Sequence, residues 1–296
     1  MSSTTRREVR GKASARVDAR RLARERMLHR RRRAVLTALL VAALGLVGMD
    51  LAHGGTGDPP TVPTSAAARH PARTVDTVAP SPSPSVSPTP LAVSYPRHGA
   101  RTFRTAAGAS RVYGDAGSLA RFQVAVENGI SNLDVAEFAD QVTTILADRQ
   151  GWTAGGEWRF QRVGPGRPHE FTLYLVTPAS RDAMCQDVPE GYTSCRYGNK
   201  VMINVSRWVH GVSYYPSLGR YRDYAISHEV GHWLGHGHEL CPGKGRRAPT
   251  MQQQTLGLHG CVTNPWPYPD GEYYAGPQGE YPQTDIPTDP PSFYRH

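Results

Sequence analysis

Apolar and polar positions alternate over RFQVAVENGI, residues 121–130, where Phe122, Val124 and Val126 share one side. That period of two predicts a strand. VYG at 112–114, Trp158–Val163 and Glu170–Val176 read as further strands. Arg196–Val205 contains Gly198–Asn199, a hairpin-type turn, followed by the apolar strand VMINV. Between these, Asp134–Arg149 has helical spacing, with Val135, Phe138, Val142, Ile145 and Leu146 on one stripe. Asp134 with Glu137 predicts a variant of the capping box, and Gly151 a terminator. A second helix is expected over Leu218–Leu234. Strands with one early and one late helix predict an α+β domain, a small twisted sheet at residues 97–270.

The N-terminal third lacks this periodicity. Residues 34–49, AVLTALLVAALGLVGM, carry no charge and follow Arg30–Arg33. Sixteen helical residues rise about 24 Å, and extension to Ala52 would complete a span of the ~30 Å hydrocarbon core. A single transmembrane signal-anchor at 34–52 is therefore expected, with a cleaved export signal and secretion as the alternative. Basic residues stay on the cytoplasmic side, so 1–33 is expected to be a cytoplasmic tail and the rest extracytoplasmic. Ten of the 25 prolines lie in 50–96. Residues 53–96 are accordingly expected to be a disordered Pro/Ser/Thr-rich linker, and 271–296 a Pro/Tyr-rich tail.

Net charge is +9, which would suit a nucleic-acid binder. Its distribution argues otherwise. In 1–33, twelve Arg and Lys12 face only Glu8, Asp18 and Glu25, whereas 97–296 holds 19 basic and 19 acidic residues. The folded part has no basic surplus, and no nucleic-acid partner is expected.

Cys185, Cys195, Cys241 and Cys261 form an even set, which in an exported domain favours disulfides. Of three connectivities, the local pairs Cys185–Cys195 and Cys241–Cys261 are favoured. A cysteine zinc site is the rival, but no CxxC spacing supports it.

The chemistry concentrates in SHEVGHWLGHGHEL, residues 227–240, which contains H-E-x-x-H-x-x-G-x-x-H. Four helical residues turn about 400°, so His228 and His232 lie about 40° apart, one turn along the same face. Both imidazoles can reach one zinc ion at about 2.0–2.1 Å. Glu229, offset by about 100°, can approach a water without replacing a histidine. Gly235 can take positive φ and turn the chain so that His238 supplies a third nitrogen. His236 is a rival third ligand, disfavoured by that turn. Three neutral ligands leave the ion its full charge and an open position. Ile226, Val230 and Trp233 fall on the opposite side of the helix and predict its core face.

At these residues the chain resembles the metzincin clan of zinc endopeptidases. HEVGHWLGHGHELCPGKGRRAPTMQQQT followed by CVTNPWPYPDG is also similar to an uncharacterised actinobacterial family of membrane-anchored or secreted proteins, regarded as metzincin-like. The resemblance implies a Met-turn at Met251 and a zinc endopeptidase with Glu229 as general base. It also implies a peptide or protein substrate, here in the cell envelope, bound as an added strand beside Lys200–Val205. Gln253 stands where astacin-like members carry a tyrosine, and Gly257, Gly260, Pro265 and Pro267 interrupt any long helix after Met251. A minimal C-terminal subdomain is therefore expected. The alternative function is a non-proteolytic, zinc-stabilised binding module of the cell envelope.

Overall fold

A computed structural model describes residues 91–283 and 285–294, all within one compact unit, 83–296. Six strands form an open sheet: β1 (Phe103–Thr105), β2 (Ser118–Glu127), β3 (Trp158–Arg162), β4 (Phe171–Val176), β5 (Cys195–Tyr197) and β6 (Lys200–Asn204). Helices are α1 (Val135–Leu146), α2 (Pro178–Cys185), α3 (Val205–His210) and α4 (Leu218–Leu234), with a short 3-10 turn at Pro291–Phe293. The fold is a mixed α+β domain.

The strand order is β1-β2-β4-β6-β5. β2, β4 and β6 run parallel, and β1 and β5 are antiparallel to their neighbours. Phe122 pairs with both Arg162 and Phe171, so β3 and β1 share the other edge of β2, one after the other. Strands buried on both faces need apolar residues on both. Phe122, Val124, Val126, Leu173, Leu175, Val201 and Ile203 alternate onto the face that meets Phe138 and Val142 of α1 and Ile226 and Val230 of α4. Val176 and Met202 point the other way, into a smaller cluster with Cys185 of α2 and Cys195.

Local chemistry accounts for the helix ends. The Asp134 carboxylate accepts from the Ala136 and Glu137 amides at 2.7 and 3.0 Å, capping α1. Its expected reciprocal, Glu137, instead accepts from Gln141. α1 stops at Leu146, before Gly151: the Ala147 amide still bonds Thr143 O, but the Asp148 amide closes a tighter turn onto Ile145 O at 3.2 Å. VYG contributes one bridge, Tyr113 to Phe160, and no strand.

Three expectations are corrected. Lys200–Val205 is not the sheet edge. The Gly198–Asn199 turn folds β5 back onto β6, so β5 takes the edge. Second, the chain beyond residue 270 is not a free tail. The Arg207 guanidinium and Ser206 hydroxyl both bond the buried Asp289 carboxylate, and Arg207 also lies 3.9 Å over the Tyr192 ring. Tyr95, assigned to the linker, is buried too. Third, among the described residues no helix is long and apolar enough to cross a membrane. The transmembrane helix in the expected fold, the single-pass location and the membrane partnership are corrected accordingly. The segments on which they rested, 1–33 and 34–52, lie outside the described residues, as does the linker up to residue 90.

Removing one member of a buried ion pair strands the other's charge. Asp289→Ala should therefore destabilise the protein by about 3 kcal/mol. Arg207→Leu added to it should recover part of that loss, as read from denaturant midpoints.

Candidate metal centre

α4 carries the site. The Ser217 hydroxyl accepts from the Arg220 amide and starts the helix. Gly235, at φ 101°, ends it by returning its amide to the Gly231 and His232 carbonyls. The next amide, His236, also bonds Gly231 O, at 3.0 Å. That left-handed step suits glycine and brings the following segment back beneath the helix.

His228, His232 and His238 are brought together. Their Nε2 atoms approach at 3.1 Å (His228 to His232) and 3.0 Å (His232 to His238). Each ring is fixed from behind. His228 Nδ1 donates to Thr250 O at 2.8 Å, His232 Nδ1 to His236 O at 2.9 Å, and His238 Nδ1 to the Glu280 carboxylate at 2.7 Å. Carbonyl and carboxylate oxygens only accept, so the proton of each neutral ring sits on Nδ1. Each Nε2 is then a lone pair, and three lone pairs face one another with no hydrogen between them. A cation relieves that arrangement. Around a tetrahedral ion with bonds of 2.0–2.1 Å, nitrogens stand about 3.3 Å apart, within a few tenths of the spacing here. The cluster can coordinate a metal ion, which suggests a metalloprotein.

The electrostatics agree. Burial, reinforced by the neighbouring imidazoles, holds His228 well below its ordinary range. Burial first, then His238, lowers His232 to about 4. Both are thus neutral donors at neutral pH.

The sequence's rival third ligand, His236, has another place. Its ring stacks on Trp152 at 4.5 Å, while its carbonyl orients His232. Glu229 is buried beside His228 and lines the same cleft, of about 690 Å³. Burial pushes its carboxyl up to about 8, and its Oε2 has no hydrogen-bond partner among the described residues.

Met251 is fully buried under α4. A Cβ on Gly231 would lie 2.4 Å from Met251 Sδ and 2.6 Å from Trp152 Cζ2, so glycine permits this approach. The same turn presents Thr250 O to His228, and Met251 O accepts the Glu239 amide. Buried Gln252 and Gln254 brace it through carbonyls at Pro249, Gly257, Leu258 and Asn264. The Cys241–Cys261 disulfide encloses the turn, and Cys185–Cys195 encloses the loop on the other flank of the cleft.

Sequence reasoning missed Glu280, 42 residues from its histidine. It also missed Arg181, a buried guanidinium in the cleft wall paired with Asp182, Asp187 and Glu190. Neither carries a local signal.

Two outcomes are expected. Gly231→Ala should cost about 2 kcal/mol, because Met251 and Trp152 must shift. In the metal-free protein, unfolded imidazoles take protons near pH 6.5 while His232 resists until about 4. The unfolded state therefore binds more protons in that window, and stability falls as pH drops through it. From pH 7.5 to 5, His232 alone should remove at most about 2 kcal/mol, measured by denaturation in chelator.

The family described as "Protein of unknown function (DUF3152)" matches residues 89–260. No curated protein and no solved structure matches the sequence. The resemblance to metzincin peptidases is thereby corrected, since the family found has no function assigned to it. Its match spans more than half the chain and takes in α4, the three histidines and the Met251 turn, and the chain belongs to this family.

Proposed function

We propose that the chain is a zinc-dependent hydrolase of peptide bonds, with His228, His232 and His238 holding the ion and Glu229 serving as general base. One observation carries the reading: the converging Nε2 atoms and the unpartnered, buried Glu229 Oε2 line the same cleft. Three neutral nitrogens and no thiolate suit a catalytic zinc site with an open position. Zinc bound there supplies Lewis acidity, which makes water nucleophilic near neutral pH and polarises a carbonyl.

The chain's own groups do the rest. Glu229 lies about 100° around α4 from His228, so it reaches the reacting water without entering the ligand set. Beside a dication held by the histidines, Glu229 is favoured in its ionised form against the effect of burial, and that carboxylate can accept the water's proton and return it to the leaving amine. Its surroundings exclude bulk water, which strengthens both transfers.

Support for a peptide substrate comes from the cleft wall. Cys195 and Arg196 of β5 line it, and β5 is the terminal strand of the sheet. The outer backbone groups of such a strand can pair with an extended chain.

The full-length protein, loaded with zinc, should cleave members of an unbiased peptide library. Glu229→Gln should keep stoichiometric zinc and lose about 10³-fold in kcat/KM, the scale of a missing general base. His228→Ala should lose the zinc. A zinc-loaded wild type that cuts no peptide, or full activity in Glu229→Gln, overturns the proposal.

A further inference from the structure

The three histidines are not equally secured. His228 and His232 stand on α4, where the helix fixes their backbone, and each donates to a main-chain carbonyl. His238 lies beyond the helix, after Gly235 and Gly237, and its side chain is 19% exposed. Without a further restraint its ring would sample several rotamers, and any cation would have to order it. Its one Nδ1 acceptor is Glu280, a carboxylate from the far C-terminal segment.

That segment is itself built around the residue next to His238. Glu239 is buried and accepts from Tyr273 Oη at 3.0 Å, the Gly276 amide at 2.9 Å and Gln278 Nε2 at 3.1 Å. The Gly279 amide bonds His238 O, and the Leu240 amide bonds Pro277 O. His238 and the two residues after it therefore grip 273–279, and the next residue is Glu280. The grip explains a buried carboxylate in the loop. It brings an orienting anion to a partly exposed ring from 42 residues away.

We infer that Glu280 is a positioning residue for His238, and that the Glu239 clasp delivers it there, so that the C-terminal segment completes the metal centre. The inference rests on the metal-binding reading above. A carboxylate acceptor fixes the tautomer and also raises the basicity of the opposite nitrogen, which a carbonyl does less strongly. The residue comes from beyond the family match, which ends at 260.

The test is zinc affinity, read by competition with a chromogenic chelator on full-length protein. Orienting partners of this kind are worth 10- to 100-fold in metal affinity, and Glu280, at 66% exposure, belongs at the lower end. Glu280→Ala should therefore bind zinc about 10-fold more weakly than wild type. Glu280→Gln keeps an acceptor oxygen without the charge and should fall between the two. The melting temperature of the metal-free protein should not move in either variant, because the side chain is largely exposed. Equal zinc affinity in wild type and Glu280→Ala overturns the inference and leaves the metal site standing. So does a weaker zinc affinity in Glu280→Ala accompanied by a lowered metal-free melting temperature, which would mark a structural role. A wild type that binds no zinc overturns the metal reading itself.

Discussion

Each of the three histidine nitrogens facing the cleft is aimed by a hydrogen bond at the opposite side of its own ring. Much of the C-terminal half follows from that requirement. Thr250 O must sit under His228, so the turn at 249–252 must be pressed against α4. Gly231 lets Met251 come that close, and Met251 fills the space below the helix with a flexible apolar side chain. His236 must turn its carbonyl toward His232, and its ring is held for that purpose on Trp152. The indole in turn donates to Ser227 O at 2.8 Å, one residue before the first histidine.

The two sides of α4 are stabilised by different means. Toward the sheet, Ile226 and Val230 are buried in apolar contact with β2, β4 and β6 side chains, which is non-directional. Toward the turn, polar contacts join the packing of Met251: Tyr224 donates to Gln252 O and Tyr221 pairs with Thr255, while Tyr215, just before the helix, donates to Gln254 Oε1. Such networks are demanding, because each buried group needs a partner with the right geometry. They hold the turn in one place, where an apolar contact would tolerate sliding. Position here is worth more than raw stability.

The legible parts of the sequence were those with short-range periodicity. Alternation marked β2, and the apolar stripe marked α1, because both patterns are set within a few residues. His228, Glu229, His232 and His238 were readable for the same reason: helical geometry and one glycine turn determine their relative places. α2 escaped because PASRDAMC carries no apolar stripe, and α3 because six residues are too few to show one. The Gly198–Asn199 turn was readable, but three residues before it were too few to show the strand that takes the edge. Pro/Tyr-rich sequence after 264 looked unstructured, yet Asp289 and Glu280 are held by partners 82 and 42 residues away. Contacts of that separation leave no periodic trace. The membrane expectation had a different footing: it came from the length of an apolar run and its basic flank, in a segment outside the described residues.

β5 has one more consequence. A bare sheet edge invites any extended chain to pair with it, including a second copy of the same protein. Here that edge is three residues long, with Arg196 at its centre and exposed. It also ends at the Gly198–Asn199 turn. An edge so short offers too few backbone partners to nucleate a stacked fibre. Brevity thus acts as a safeguard against self-association, while leaving enough backbone for a brief contact beside the histidines.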